Sequence, residues 1–419
     1  MTSKEKVQRA LNHQEVEIPV DFGSTGVTGI HCKVIEGLRR HYGLEERSVK
    51  VIEPFQMLGE VDEELQQIIG TDITGIFGRG NMLGTTQLEY HLQTTPWGQN
   101  VLISKEIDMT PDAAGNIYVY AQNDRSVPPC AVMPSGCYFI NAIERQPPID
   151  EDNLNVEDNL EEFGVISDVD LEYFAARIDE ATLTGKAVIA SFGGTALGDI
   201  ALIPAMNLKD PKGIRAVAEW YMSTILRPDF IHQIFERQID LAILNYQKLW
   251  DRVGDKVDVV FTCGTDFGTQ ESQFCSIDTY RNLWLPHYKR MNDWIHQHTT
   301  WKVFKHSCGS VMPLIPEIIN SGFDILNPVQ INAKNMDSRR IKDEFGQHLT
   351  FWGGGVDTQQ ILPYATPEQV KEHVWQQCEI LGKGGGFVFN SVHNIQANTP
   401  IENVAALFEA LNEIRNRNK

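Results

Sequence analysis

Eight short apolar segments, separated by stretches with helical periodicity, are the feature that most constrains the fold of this chain. Most of the segments end in glycine or in small polar residues, as buried strands do where they lead into loops. Helix starts lie between them, among them a capping box at Thr366 and Gln369 with proline at the first helical position. The predicted strands begin near Ile18, Asp72, Val188, Val257, Trp301, Phe323, Leu349 and Gly386. This alternation favours a (β/α)8 barrel, with a doubly wound sheet as the alternative.

Residues 80–148 differ from the rest of the chain and predict a β-rich insertion. The segment is rich in glycine, proline, asparagine and aromatic residues, and NVLISKEI and NIYVYA alternate with the period of a strand. We predict one barrel domain over residues 1–419, with an antiparallel insertion between strands two and three that covers the barrel mouth. Its aromatic residues would either shape a small organic pocket or pack the insertion: Trp97, Tyr118, Tyr120, Tyr138 and Phe139. Helices are also predicted at residues 51–69 and from Asp210 to about Thr224.

Charge and hydropathy exclude several classes of partner. The formal net charge of −20 argues against nucleic acid and against an anionic membrane surface, both of which require basic patches. No apolar run is long enough to span a bilayer, and the polar, helix-patterned N-terminus does not resemble a signal peptide. Seven scattered cysteines do not form the pattern of a disulfide framework. We therefore expect a cytoplasmic protein with reduced thiols; the oligomeric state is not predicted.

The segment WKVFKHSCGS, which begins at Trp301, carries a candidate metal-binding pair. Its alternation predicts a strand, so His306 and Cys308 lie on the same side of that strand and converge at its end. Zinc accepts imidazole nitrogen and thiolate sulfur as ligands. The pair alone is a weak signal, because a buried histidine and a buried free cysteine give the same pattern.

Polar residues follow most of the other predicted strands, where the active sites of (β/α)8 barrels lie. We predict catalytic roles for Asp266, Gln330 and Asp357, and substrate-binding roles for Gln270, Asn327 and Gln396. Each has a simpler alternative, since aspartates cap helices and glutamine satisfies loop backbone. Other residues with the same placement are Asp21, Glu271, His393 and Asn394.

Several motifs together resemble the uroporphyrinogen decarboxylase superfamily, and within it the corrinoid-linked methyltransferases more than the decarboxylase itself. The motifs are SKEKVQRALNHQEVEIPVDF, PFQMLGEVDEEL, FKHSCGSV, DILNPVQ, WGGGVDTQ and HNIQANTPIENVAAL. The resemblance covers most of the chain and is weakest over residues 80–148. It implies a (β/α)8 barrel, in agreement with the strand count.

The two branches of the superfamily imply different sites. Resemblance to the decarboxylases would imply an arginine-bearing segment after the first strand and no metal, whereas this chain has DFGSTGVTGIH there and no arginine before Arg39 in that region. Resemblance to the methyltransferases implies zinc on the His-x-Cys pair and on a cysteine after the last strand. His306 and Cys308 match the pair, and His393 stands where the distant cysteine is expected. The implied zinc ligands are therefore His306, Cys308 and His393, with Cys263 as the substitute for His393.

We therefore predict a zinc-dependent methyltransferase that moves a methyl group between a small methylated compound, or a thiol, and a corrinoid carried on a partner protein. Zinc deprotonates a coordinated thiol and keeps an open position for substrate. With one thiolate fewer than in the relatives, an alcohol or ether is favoured over a free thiol as substrate. The alternatives are a decarboxylase or lyase acting on a small organic acid, with Asp266 or Asp357 stabilising positive charge, and a non-catalytic relative that keeps only the barrel.

Overall fold

A curled sheet of parallel strands forms the wall of a barrel in the computed structural model of this chain, which describes residues 1–193 and 195–417. Gly194, in the predicted third strand segment, and residues 418 and 419 of the predicted domain lie outside the described residues. Within residues 1–193 and 195–417, no helix combines the length and the apolar character needed to cross a membrane.

The strands of the described residues are β1 (Ile30–His31), β2 (Val49–Glu53), β3 (Leu58–Gly59), β4 (Ile73–Ile76), β5 (Tyr90–Thr94), β6 (Asn100–Ser104), β7 (Ile117–Val119), β8 (Ala131–Met133), β9 (Asn141–Ala142), β10 (Ala187–Ala190), β11 (Val259–Cys263), β12 (Lys302–His306), β13 (Ile325–Asn327), β14 (Thr350–Trp352) and β15 (Phe387–Val388). The α-helices are α1 (Ser3–Leu11), α2 (Cys32–His41), α3 (Glu63–Ile69), α4 (Asp168–Thr182), α5 (Val217–Leu226), α6 (Pro228–Val253), α7 (Ile277–Leu283), α8 (Leu285–His298), α9 (Ile315–Asn320), α10 (Ser338–Phe345), α11 (Ile361–Tyr364), α12 (Pro367–Leu381) and α13 (Ile401–Arg417).

The barrel wall follows chain order, from β4 through β10, β11, β12, β13 and β14 to β15, with every neighbouring pair parallel. The first predicted strand is reduced to Val20, which pairs in parallel with Phe389. The backbone N–H of Asp72 donates to the Val20 carbonyl at 2.8 Å and joins this residue to the other edge. The eight predicted positions therefore form a (β/α)8-type barrel, and the doubly wound alternative is wrong because the strand order never reverses.

Apolar side chains fill the barrel interior, and helix α1 closes its amino-terminal end. Val7 and Leu11 of α1 pack with the inward-facing residues of the strands, which include Phe304 and Trp352. The apolar face of α1 therefore belongs to the barrel core, and the opposite end of the barrel is left for polar groups.

The region between β4 and β10 contains two β structures. Strands β5 and β6 form an antiparallel hairpin, and β6 continues in parallel with β2 into a sheet that also contains β3 and β1. Strands β7, β8 and β9 form a separate antiparallel sheet. The strand pairs within residues 80–148 are all antiparallel, as expected, and the parallel pair joins β6 to β2, which lies outside that segment.

Two predicted helices are wrong in part. Residues 51–69 contain the end of β2, then β3, and become helical only at α3, because Pro54 and Gly59 interrupt the helical pattern. Helix α5 begins at Val217 rather than at Asp210. Arg215 holds the preceding loop, because its buried guanidinium donates to the Lys212 and Asp158 carbonyls and pairs with Glu162 at 2.7 Å.

Phe304→Ala tests the barrel core. Phe304 is fully buried, with its ring centroid 5.4 Å from those of both Phe261 and Trp352. We expect the free energy of unfolding to fall by about 3–5 kcal/mol in chemical denaturation, because the substitution leaves a cavity. Leu183→Ala is the control, since Leu183 is 86% exposed and should change stability by about 0.5 kcal/mol or less. Equal effects of the two substitutions would contradict this core assignment.

Candidate metal centre and substrate cavity

Three potential metal ligands converge at the carboxyl ends of two neighbouring barrel strands. His306 ends β12, Cys308 follows it in the next loop, and Asp266 lies in the loop after β11. His306 Nε2 is 3.3 Å from Cys308 Sγ and 3.7 Å from Asp266 Oδ1. The three ligand atoms all lie within 4.8 Å of one another. One nitrogen, one sulfur and one carboxylate oxygen are a donor set that suits zinc.

Hydrogen bonds determine which nitrogen of His306 faces this cluster. The Asn327 amide donates through Nδ2 to the Trp352 carbonyl at 2.6 Å, so its Oδ1 is turned toward His306 Nδ1, also at 2.6 Å. Nδ1 therefore carries the proton and Nε2 presents its lone pair to Cys308 and Asp266. Burial lowers the pKa of His306, although the Asp266 carboxylate opposes this shift. A neutral imidazole is the form that binds a metal.

The loops that carry Cys308 and Asp266 are in direct backbone contact. Gly309 has a φ of +90°, and a Cβ at this position would overlap the backbone of Gly268 in the loop after β11. The Cys308 N–H donates to Asp266 Oδ1 at 2.7 Å, and the Gly309 N–H donates to Gln330 Oε1 at 2.6 Å. Gln330 therefore holds the loop through its carbonyl oxygen, and only glycine at 309 allows the two loops to meet.

The environment of Cys308 disfavours ionisation of its thiol. Burial raises the pKa of Cys308 well above its usual value, and the Asp266 carboxylate raises it further. A bound cation reverses such an effect, because a coordinated thiol is deprotonated. The cluster thus has the electrostatics of a site that accepts a positive ion.

Neither candidate for the third predicted zinc ligand belongs to the cluster of three. His393 lies outside this group, although it is near enough for the Asp266 carboxylate to raise its pKa against the larger, opposing effect of burial. Its ring has accessible surface, but that surface faces a cavity. Cys263 is buried in the core, with Sγ 3.5 Å from the Tyr288 hydroxyl. Metal binding by His393 therefore remains a prediction, and Asp266 occupies the third place in the cluster.

The other predicted site residues differ in what they contact. Asp357 Oδ1 accepts the backbone N–H groups of Gln359 at 2.7 Å and Gln360 at 3.2 Å, as a capping residue does. Asn327 contacts His306 rather than open space, and Gln270 is exposed on the loop after β11. Their catalytic or substrate-binding roles remain predictions.

A cavity of about 420 Å³ opens at this end of the barrel beside the cluster. Its wall combines the loops after the last three strands, the loop between β2 and β3, and part of the insertion. The insertion reaches the cavity through β9 and the residues just before it. The lining residues are Phe55, Gln56, Phe139, Ile140, Asn141, Gln330, Thr358, Gln359, Val392, His393 and Gln396. The cavity is large enough for a small organic molecule.

A larger cavity, of about 1160 Å³, lies at the opposite, amino-terminal end of the barrel. Asp72 on its wall pairs there with Lys6 at 3.0 Å and with Arg415 at 2.9 Å. Such partly buried ion pairs tie α1 and α13 to the barrel. In (β/α)8 barrels this end generally serves stability, whereas active sites lie at the carboxyl ends of the strands.

Two charged residues near the cluster escaped the sequence analysis. Burial, and then the Asp266 carboxylate, raise the pKa of Asp199 to about 6. Lys305 is fully buried, donates through Nζ to the Thr265 carbonyl at 2.6 Å, and lies over the rings of Phe267 and Tyr288. Lys305 could have been suspected from its position beside His306, whereas Asp199 lies well beyond the end of β10 and gave no local signal.

The fold and the site define a (β/α)8 barrel with a polar cluster at the carboxyl ends of its strands, the arrangement in which barrels carry catalysis. The family model for uroporphyrinogen decarboxylase (URO-D) matches residues 205–414, half of the chain. The chain belongs to this family, as its sequence motifs indicated.

The chain is also similar to individual known proteins. Uroporphyrinogen decarboxylases from Coxiella burnetii strains are 26% identical over 205 residues, which is 46% of this chain and 50% of theirs. The chain therefore spans about half the length of the curated relatives it matches. A solved methyltransferase from Methanosarcina mazei aligns over 99% of each chain with a TM-score of 0.55 and 14% identity. That similarity shows a shared fold.

Asp21→Asn tests the buried carboxylate at the end of the first strand position. Asp21 Oδ2 accepts from the Ser24 hydroxyl at 2.6 Å and from Trp352 Nε1 at 2.9 Å, whereas Oδ1 is buried without a partner. Burial raises the pKa of Asp21 to about 6. The folded state therefore binds this proton more tightly than the unfolded state does. The protonated Asp21 carboxyl contributes its full stability below about pH 4, and this contribution is lost as the pH rises through 6.

We expect the stability of the wild-type protein relative to Asp21→Asn to fall by about 2 kcal/mol between pH 4 and pH 7, because most of the effect of that pKa shift lies within this range. Denaturant unfolding of both proteins across this range measures the difference. A difference that stays constant over the range would contradict the assignment.

Proposed function

We propose that this protein is a zinc-dependent methyltransferase that moves a methyl group between a small methylated compound and a corrinoid carried on a partner protein. The observation that carries the proposal is the convergence of His306, Cys308 and Asp266 at the barrel mouth. When bound, zinc would supply Lewis acidity toward an oxygen or sulfur of the substrate. The cytoplasmic location and the corrinoid protein remain predictions.

The residues around the cluster prepare it to hold a cation. Asn327 keeps the Nε2 lone pair of His306 free, and the contact between the two loops holds Cys308 beside Asp266. The buried ammonium of Lys305 offsets part of the negative charge of the acidic groups. These supports fit a site whose ligands must be held in one geometry before the metal binds.

We assign the metal to Asp266, His306 and Cys308 and keep His393 as the alternative third ligand. Asp266 is favoured because its carboxylate already lies with the other two ligand atoms, whereas His393 faces the cavity. With only one sulfur among the ligands, the metal would be a stronger Lewis acid than in a site with two thiolates. An alcohol or ether therefore suits the site better than a free thiol.

The second candidate is a decarboxylase or lyase that acts on a small organic acid, and it is favoured by the curated decarboxylases that match half of the chain. Polycarboxylate substrates are gripped by arginine or lysine. Arg39, the nearest arginine after the first strand position, is buried and pairs with Asp62 at 2.7 Å and Glu64 at 2.9 Å. It is therefore committed to the fold, which supports methyl transfer over this alternative.

Zinc analysis of purified Cys308→Ser tests the metal centre. We expect about one zinc per wild-type chain after growth with zinc and a large loss in the variant, because changes in groups that only support a ligand already cost about 10–100-fold in affinity. Cys137→Ser is the matched control, since Cys137 is half-buried and outside the cluster. Asp266→Asn and His393→Ala identify the third ligand by which of them loses zinc. Equal zinc in Cys308→Ser and the wild type would refute the site.

The reaction is tested by mixing the zinc-loaded protein with a reduced corrinoid and a panel of methyl ethers, methyl thioethers and methanol. We expect methylated corrinoid to form, as followed by its absorption spectrum, and to form faster with oxygen compounds than with sulfur compounds. Cys308→Ser should abolish the signal, whereas Cys137→Ser should retain it. No signal with any compound, together with carbon dioxide release from an organic acid without corrinoid, would favour the decarboxylase.

A further inference from the structure

The cavity beside the metal centre has no ionised wall. Among the described residues that line it there is no lysine, arginine, aspartate or glutamate. The wall consists instead of carboxamide side chains, a threonine, a histidine and apolar groups. The carboxamides are Gln56, Asn141, Gln330, Gln359 and Gln396, and the apolar residues are Phe55, Phe139, Ile140 and Val392.

In two of the carboxamides, one polar group of the side chain is hydrogen-bonded within the protein and the other is available to a ligand. Gln330 Oε1 accepts from Gly309, so its NH₂ group remains as a donor to the cavity. Gln396 Nε2 donates to the Asn394 carbonyl at 3.1 Å, so its Oε1 remains as an acceptor. The cavity therefore offers a donor for an ether or hydroxyl oxygen and an acceptor for a hydroxyl hydrogen.

The charged groups around the cavity already have partners within the protein. Glu53 accepts the backbone N–H groups of Phe55 and Gln56, and Asp357 accepts that of Gln359. Lys305 is buried, with Nζ over the rings of Phe267 and Tyr288, and donates to the Thr265 carbonyl.

Asp266 and Asp199 belong to the acidic cluster and would repel an anion. With zinc bound, the Asp266 carboxylate and the Cys308 thiolate would balance its two positive charges, so the cluster would present no net positive charge to a carboxylate in the cavity. Such a carboxylate would lose hydration without a compensating net charge, and an ammonium would find no carboxylate on the wall.

We propose that this cavity binds an uncharged molecule the size of one substituted aromatic ring. An ether or hydroxyl oxygen of the molecule would accept from Gln330, and a hydroxyl group would donate to Gln396. Phe55 and Phe139 supply the apolar contacts for the ring, and the volume of about 420 Å³ suits a molecule of this size. The inference deepens the proposed function by naming its substrate class: neutral, hydroxylated methyl ethers. It excludes polycarboxylates and methylated ammonium compounds.

Three probes of nearly equal size test the charge preference: 4-hydroxy-3-methoxybenzyl alcohol, 4-hydroxy-3-methoxybenzoate and 4-hydroxy-3-methoxybenzylamine. Their affinity for the zinc-loaded protein is measured by titration calorimetry at neutral pH, without corrinoid. We expect the alcohol to bind at least about tenfold more tightly than either charged probe, because burial of an unpaired charge is costly. Equal or tighter binding of a charged probe, or no binding of the alcohol, would overturn the inference.

A pair of neighbouring substitutions locates the effect. Gln359 is exposed and lines the cavity, whereas Gln360 is also exposed but is not among the lining residues. Gln359→Lys should tighten binding of the benzoate by about tenfold, because the new ammonium pairs with its carboxylate in a partly enclosed site. Gln360→Lys, with the same net charge, should leave the three affinities as in the wild type. The same change in both variants would overturn the assignment to this cavity.

The result is separable from the outcome for the proposed function, because binding is measured without any methyl transfer. A protein that prefers the neutral probe but never methylates corrinoid would keep this inference and lose the proposed reaction. A protein that methylates corrinoid from a charged donor would keep the reaction and overturn this inference.

Discussion

A series of buried hydrogen bonds links Asp21, which follows Val20, to the candidate metal ligand His306, and the geometry of the site depends on it. Trp352 Nε1 donates to Asp21, the Trp352 carbonyl accepts from Asn327, and Asn327 accepts from His306. These residues come from four different strand ends, so the barrel must be closed before the series can form. Because buried polar groups without partners are costly, the same bonds that stabilise the barrel also orient the imidazole.

Burial at the barrel mouth also brings several acidic groups and one lysine close together. Besides burial, the Asp266 carboxylate raises the pKa of both Asp199 and Cys308, and Asp199 adds to the shift of Cys308. Lys305 opposes both shifts. An additional cation among them would relieve the repulsion and deprotonate the thiol. The acidic cluster is therefore better understood as one electrostatic unit than as separate residues.

The insertion contributes to the wall of the cavity, whereas the barrel carries the candidate metal ligands. The Ile140 N–H donates to the Phe55 carbonyl at 2.8 Å, and this bond joins the insertion to the loop between β2 and β3 at the cavity wall. The cluster itself belongs to β11, β12 and the loops that follow them. Substrate range can thus vary through the insertion while the strand ends stay unchanged, which is typical of barrel enzymes.

The sequence by itself determined the strand positions and the pairing of His306 with Cys308. Both depend on local geometry, because apolar period and the i, i+2 spacing on a strand act over a few residues. The family resemblance was also readable, since its motifs are contiguous. These inferences needed no knowledge of which segments meet in space.

Only the tertiary structure decided that Asp266, rather than the expected His393 or its substitute Cys263, completes the cluster with His306 and Cys308. That choice depends on the register of β11 against β12, where Phe261 pairs with Phe304 and an irregularity follows before Cys263. The parallel pairing of β2 with β6 and the neutral wall of the cavity likewise join segments far apart in the chain. Contacts of this kind depend on how whole strands and loops pack together, and local pattern does not encode that packing.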